Sequence, residues 1–271
     1  MKFLRNKLAL WVLAALAVGG VAFLVLAAGA NVNCFVSSGT YTCFSTNGNS
    51  DTGTFDTTTV FTGENDTASI GCPDTGSTFS SGGGNDVIYL TNLPGVTPDS
   101  STVDGEDGDD VIVDGCFSSG GSLTNSLNGG NGNDVIIQNG ADPDSPVDDS
   151  GNLSGDAGND LLVGGQGDDI LDGGDGNDIL VGGPGDDTFS TSDNGDDIYI
   201  IHKGDVNSGG TEDYTCVGND IILLFGFDRD GVVEVPSTAY PSSYTATDPV
   251  TGGTYSFSAS SPNKCTIIFA D

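Results

Sequence analysis

Residues 155–190 read GDAGNDLLV, GGQGDDILD, GGDGNDILV, GGPGDDTFS, four consecutive nine-residue units. Each unit opens with a Gly-rich turn, carries Asp at position six and places an apolar residue at position eight. Looser copies share the same core: SGGGNDVIY from Ser81, GEDGDDVIV from Gly105, GGNGNDVII from Gly129, SDNGDDIYI from Ser192 and TCVGNDIIL from Thr215. Position six is Asp in all nine copies, at Asp86, Asp110, Asp134, Asp160, Asp169, Asp178, Asp187, Asp197 and Asp220. A short fixed period of this kind signals stacked repeats, each too small to bury an apolar face alone.

The residue types at these spacings dictate a chemistry. Glycine enters the positive-φ region that a Cβ opposes, so the six-residue half of each unit is able to turn its carbonyls inward. Carbonyl and carboxylate oxygens together make a hard ligand set suited to Ca²⁺. The candidate ligands are the nine aspartates, with turn carbonyls that include those of Gly129, Gly132, Gly164, Gly167, Gly173, Gly176, Gly182 and Gly185. The last three residues of each unit form a short strand whose position eight points into the core, at Ile88, Ile112, Ile136, Leu162, Leu171, Leu180, Phe189, Tyr199 and Ile222. Two units make one turn of a right-handed coil.

The pattern G-G-x-G-x-D-x-U-x resembles the RTX, or hemolysin-type calcium-binding, β-roll family over about residues 81–225. The resemblance implies a parallel β-roll in which each ion is held by Asp side chains and turn carbonyls from two stacked turns. It also implies several calcium ions as cofactor. Many members of the family leave the cell by a one-step route with a C-terminal signal and have few cysteines, whereas this chain has six cysteines and an N-terminal export segment.

The two sides of the roll are expected to differ. The aspartates fall 24, 24, 26, 9, 9, 9, 10 and 23 residues apart. If each long interval is one rung, one side carries Asp86, Asp110, Asp134, Asp160, Asp178, Asp197 and Asp220. The other carries Asp169 and Asp187, with inserted loops such as 114–128 and 138–154. Position nine splits the same way: Tyr89, Val113, Ile137, Val163, Val181, Ile200 and Leu223 against Asp172 and Ser190. Positions seven and nine share a strand's outward face, so the long side presents an aliphatic stripe. An inserted loop or terminal segment is its expected cover, ahead of a second chain.

Composition bounds the rest. The 271 residues hold 39 acids against 6 bases, and only four acids are Glu (Glu64, Glu106, Glu212, Glu234). That preference for Asp fits tight turns and short-armed ligands. Clustered Lys and Arg are missing, so nucleic acid is excluded as a partner. Lys2, Arg5 and Lys7 precede an uncharged apolar run from Leu8 to Ala30 that ends Ala28-Gly29-Ala30. This is the pattern of a cleaved export signal, with an uncleaved membrane anchor as the alternative, and it places the remainder extracellularly or at the cell surface. The membrane is a partner only if the segment is not cleaved. An even cysteine count in an exported chain implies disulfides. Cys34 and Cys43 face each other across the turn Ser37-Ser38-Gly39-Thr40; the partners of Cys72, Cys116, Cys216 and Cys265 stay open.

The expected fold is all-β. A right-handed parallel β-roll or β-solenoid spans residues 81–225, β-rich caps occupy 31–80 and 226–271, and residues 1–30 form a signal or anchor helix. Strand-like pieces in the caps include Thr57–Phe61, Tyr255–Phe257 and Thr266–Phe269. Phosphate-loop, EF-hand, H-E-x-x-H and Ser/His/Asp patterns all fail on context, and His202 stands alone, so no catalysis is expected. The expected role is a structural or adhesive surface protein that binds a cell surface, a matrix or itself. A secreted module recruiting a protein or glycan is the alternative. A polysaccharide-acting enzyme ranks below both, for want of a basic or aromatic cleft.

Overall fold

A computed structural model describes residues 31–37, 40–45, 50–53, 58–60, 65, 67–72, 78–91, 100–117, 123–138, 150–185, 187–190, 195–202, 211–227, 231–236, 243–259 and 264–270. The expected signal or anchor at 1–30 and the side chains of Cys34 and Cys43 lie outside the described residues. No described helix is long and apolar enough to cross a membrane.

Every described element is a strand. The N-terminal part holds β1 (Asn31–Ser37), β2 (Thr40–Ser45), β3 (Ser50–Gly53), β4 (Thr58–Val60), β5 (Thr67–Gly71) and β6 (Thr78–Ser80). The rungs follow as β7 (Val87–Thr91), β8 (Thr102–Asp104), β9 (Val111–Gly115), β10 (Thr124–Asn131), β11 (Val135–Gln138) and β12 (Ser150–Ala157). They continue through β13 (Leu161–Val163), β14 (Ile170–Asp172), β15 (Ile179–Val181), β16 (Thr188–Ser190) and β17 (Ile198–His202). The C-terminal part holds β18 (Thr211–Cys216), β19 (Ile221–Phe225), β20 (Gly231–Pro236), β21 (Ser243–Thr247), β22 (Thr254–Ala259) and β23 (Lys264–Ala270).

From β4 to β17 successive strands alternate between two sheets. A 13-stranded sheet runs β20-β23-β19-β17-β15-β13-β11-β9-β7-β5-β1-β2-β3, and a 7-stranded sheet runs β16-β14-β12-β10-β8-β6-β4. From β5 to β19 the large sheet is parallel, and so is the whole second sheet. Register holds through intervals of unequal length: Val87, Val111, Val135, Leu161, Ile179, Ile198 and Ile221 align in one column.

The side assignment read from the intervals matches this topology. The seven long-side aspartates each precede a strand of the large sheet, and Asp169 and Asp187 precede β14 and β16 of the second. One correction concerns the inserted loops. Residues 124–131 and 150–157 are β10 and β12, full members of the second sheet, and β8 fills the same place one rung earlier. Segments such as Ser126-Leu127-Asn128 and Asn152-Leu153-Ser154 have one inward apolar residue and no Gly–Asp turn before them. The nine-residue signature therefore passes over them.

The core is a thin double layer. All nine position-eight residues are buried, and the second sheet adds Phe79, Val103, Leu127 and Leu153. Position seven on the large sheet stays half-buried or exposed, with Ile179 38% exposed, as does Tyr89 at position nine, 42% exposed. Cys72 and Cys116, just past β5 and β9, are joined by a disulfide across the end of the intervening β7. Cys216 and Cys265 join β18 to β23, tying the small sheet β18-β22-β21 to the large one. Aromatic rings close that end: Tyr214 lies between Phe189 and Phe257, at centroid distances of 5.5 and 5.3 Å. Cys34 and Cys43 oppose each other in the β1–β2 register. His202 ends β17, exposed and stacked on Phe225.

Candidate metal centre

The turns that connect the second sheet to the large one stack into a column along one edge of the roll. Their backbones bond rung to rung: Gly84 N–H to Asp107 O, Gly108 N–H to Asn131 O, Gly132 N–H to Ala157 O and Gly158 N–H to Asp175 O, at 2.7–2.8 Å. Glycine is required at position four of these turns. Gly158 has φ +148°, and a Cβ on it would lie 1.4 Å from Gly132 O.

All nine position-six aspartates are buried, none more than 5% exposed. They form a ladder. On the long edge the Oδ1 atoms of Asp110, Asp134, Asp160, Asp178, Asp197 and Asp220 each accept the backbone N–H of the aspartate one rung earlier, at 2.7–3.0 Å. On the other edge Asp187 Oδ1 accepts from Asp169 N–H at 3.0 Å. One carboxylate oxygen thus stitches adjacent rungs.

The second oxygen is different. Oδ2 of Asp110, Asp134, Asp160, Asp169 and Asp220 is buried with no hydrogen-bond partner. A buried, unsatisfied carboxylate oxygen is costly, and the titration of these groups reflects that cost. Burial, with smaller contributions from neighbouring acids, pushes Asp110 and Asp169 up to about 7. Burial also raises Asp134, Asp160 and Asp220 to about 6. The stitching N–H opposes the shift without cancelling it.

Before Asp110, Asp134, Asp160 and Asp169 the space is kept open by position-one glycines, whereas Asp220 has Thr215 there; beside Asp110, Asp160 and Asp169 a carbonyl of the next turn also lines it. A Cβ on Gly105 would meet Asp110 Oδ2 at 2.3 Å and Gly129 O, from the next turn, at 2.4 Å. On Gly155 it would meet Asp160 Oδ2 at 2.2 Å and Gly173 O at 2.5 Å; on Gly164, Asp169 Oδ2 at 2.4 Å and Gly182 O at 2.8 Å. A carboxylate oxygen and a carbonyl of the next turn therefore converge on a gap that any side chain would fill. Among the described residues no three His, Cys, Asp or Glu side chains converge. A cation here would thus rest on few carboxylates and on backbone carbonyls, a donor set that fits Ca²⁺.

The nine aspartates are not equivalent. At the first rung position one is Ser81, whose hydroxyl already donates to Gly105 O at 2.8 Å. Near the far end Asp197 Oδ2 accepts from the Tyr199 hydroxyl at 3.2 Å. The bare-oxygen geometry is clearest from Asp110 to Asp169.

A second ladder was not anticipated. Position five runs along the outer rim of the long edge, and its backbone N–H groups donate in the opposite direction, each to the side-chain oxygen one rung earlier. Asn133 donates to Asp109, Asn159 to Asn133, Asn177 to Asn159, Asp196 to Asn177 and Asn219 to Asp196, at 2.8–3.0 Å. The Asn133 donors hold the exposed Asp109 carboxyl below its ordinary value. The signal was present in the sequence, because position five is Asn or Asp in all nine copies.

The RTX calcium-binding nonapeptide repeat family matches in four copies, over residues 119–137 and 154–189. These segments contain the turns at 129–134, 155–160, 164–169, 173–178 and 182–187. Repeats of this family bind calcium. No curated protein matches the chain.

Proposed function

We propose that this chain is an exported calcium-binding β-roll that folds on binding its ions and serves as a structural or adhesive protein at or beyond the cell surface. The observation that carries the calcium sites is the row of buried Oδ2 atoms without partners, of which those of Asp110, Asp160 and Asp169 face a gap that a carbonyl of the next turn also lines. Asp110, Asp134, Asp160, Asp169 and Asp178 hold the ions, with the carbonyls of Gly129, Gly173 and Gly182 from the adjoining turns. Gly132, Gly164, Gly167, Gly176 and Gly185 add further turn carbonyls. Asp86, Asp187, Asp197 and Asp220 occupy the same position at the ends of the two columns. When bound, Ca²⁺ supplies positive charge to oxygens that are otherwise buried and uncompensated.

The chain's own residues do the remaining work. In the folded roll Oδ1 of these aspartates is fixed by its stitch to the previous rung, so Oδ2 is held in one orientation toward the gap. Position-one glycines keep the gap clear. Export is supported by the Lys2–Ala30 pattern and by six cysteines, four of them in disulfides that suit an oxidising compartment. A non-enzymatic role is supported by the repeat family, whose members are typically structural. A second reading, recruitment of a partner, is favoured by the outward face of the large sheet. Val111, Val113, Val135, Ile137, Leu161 and Val163 cover it without a charge and remain half-buried.

Calorimetric calcium titration of the double variant Asp169→Ala/Asp178→Ala tests the assignment. Stoichiometry falls, while sites around Asp110 and Asp134 persist. Unchanged stoichiometry and affinity would remove these aspartates from the ligand set.

A further inference from the structure

The second edge of the roll changes chemistry along its length. Backbone register gives its position-six column as Ser101, Asn125, Gly151, Asp169 and Asp187. The last two carry the carboxylate stitch, with Gly151 N–H donating to Asp169 Oδ1 at 2.6 Å. Asn125 makes the same stitch through an amide: its Oδ1 accepts Ser101 N–H at 2.8 Å. The difference lies in the other terminal atom. In Asp169 that atom is a buried oxygen without a partner. In Asn125 it is Nδ2, which donates to Asp114 Oδ2 at 2.5 Å.

Asp114 reaches this edge from the end of β9 and is wholly buried, as is Asn125 at 2% exposure. Its Oδ1 accepts Cys116 N–H at 2.9 Å, and Cys116 is bonded to Cys72. In the next rung Gly151 contributes no side chain, and a Cβ there would lie 1.6 Å from Gln138 Oε1. That rung has neither a carboxylate nor an open gap at this edge.

We infer that Asn125 and Asp114 form a metal-independent clamp that takes, on this edge, the place an ion takes beside the aspartate turns. An amide N–H and a buried carboxylate satisfy each other in a charge-assisted bond, so no cation is needed to balance the oxygen. The two edges then divide the work. The long edge depends on calcium along the roll, whereas the early rungs of the second edge are closed by protein groups and anchored by the Cys72–Cys116 disulfide. The rungs from β8 to β10 form an ordered base on which the calcium-dependent rungs β13 to β16 build. This inference rests on the calcium reading of the aspartate turns.

Hydrogen exchange on the disulfide-intact chain, with calcium and with chelator, separates the two ideas. The amides of Ser101 and Ser126, bonded to Asn125 Oδ1 and Ser101 O, keep their protection in chelator. The amides of Ile179 and Thr188, bonded to Asp160 O and Asp169 O, lose theirs. Loss at all four positions overturns the clamp and leaves calcium-driven folding intact. Retention at all four overturns the calcium reading on which the clamp depends.

Variants supply the second arm. Asn125→Asp sets two buried carboxylates against each other and makes Ser101 and Ser126 chelator-sensitive. The exchange Asp114→Asn/Asn125→Asp restores these three hydrogen bonds, with the roles of the linking pair reversed, and with them the resistance to chelator. If the single variant does not fold even with calcium, the exchange still decides. An exchange variant as sensitive as Asn125→Asp, or a single variant as resistant as the parent, overturns the clamp.

Discussion

On the calcium reading proposed above, a stitched position-six aspartate has two duties, one per oxygen, and a single-atom change separates them. Asp110→Asn keeps the Oδ1 acceptor for Asp86 N–H and replaces the bare Oδ2 with an amide that is able to donate to the Gly129 carbonyl. The sign of the effect follows from linkage. The folded-state value of Asp110, about 7, lies above the ordinary 3.8, so the metal-free fold holds this proton more tightly than the unfolded chain does. The resulting destabilisation is absent below the ordinary value, grows as pH rises, and is complete above about 7. Asp110→Asn therefore makes the metal-free protein more stable at mildly alkaline pH than the parent, and the advantage shrinks on acidification. Calcium stabilises the variant less than the parent. Metal-free strand content across pH, by circular dichroism, and thermal melts with calcium check the two statements, and a variant less ordered than the parent without metal would contradict them.

At the scale of the element, a turn is held by two ladders of opposite direction: a buried one through Asp at position six and an exposed one through Asn or Asp at position five. They differ in what they ask of calcium. Asn133 Oδ1 accepts both the backbone N–H and the Nδ2 of Asn159, at 3.0 and 2.9 Å. Neither bond involves the metal gap. Asn133→Ala removes both, together with the bond from its own Nδ2 to Asp109 Oδ1 at 3.0 Å, and costs roughly 1–3 kcal/mol, by the same amount at low and at saturating calcium. Asp134→Ala removes a stitch and an ion ligand together, so its cost is larger when calcium is present. Denaturant unfolding in the two conditions distinguishes the ladders, and a calcium-dependent cost for Asn133→Ala would place that side chain in the metal site. The strands themselves are three to five residues long along much of the roll. They owe their register to these ladders as much as to their apolar contacts.

For the whole molecule, the large sheet was legible because every strand from β7 to β19 follows an Asp turn that the nine-residue pattern marks. Four of the seven strands of the second sheet, β6, β8, β10 and β12, were not. Thr102-Val103-Asp104 and Ser126-Leu127-Asn128 offer one apolar residue each, and only the pairing of rungs reveals them as strands. The candidate ligands were readable from spacing, but their inequality was not. It depends on the Ser81 hydroxyl reaching Gly105 O a full rung away, and on Tyr199 turning its hydroxyl back onto Asp197 two residues earlier. The Cys72–Cys116 and Cys216–Cys265 pairs likewise follow from which rung ends meet, a matter of register that cysteine spacing does not carry.

The same scale sets the energetics. The chain beyond residue 30 carries 39 acids against Lys203, Arg229 and Lys264. Its stacked turns are rich in glycine, which loses the most freedom on ordering. Each ion that binds the folded form alone contributes about 2.7 kcal/mol when calcium stands a hundredfold above its dissociation constant, and the proposed folding on calcium requires several such sites to outweigh a thin core's deficit. Calcium titration of the metal-stripped, disulfide-intact chain, followed by far-ultraviolet circular dichroism with binding heat measured in parallel, tests this most directly. Strand signal rising with saturable binding of several ions is the predicted result; a spectrum unchanged from metal-free to saturated, with no heat of binding, would contradict it.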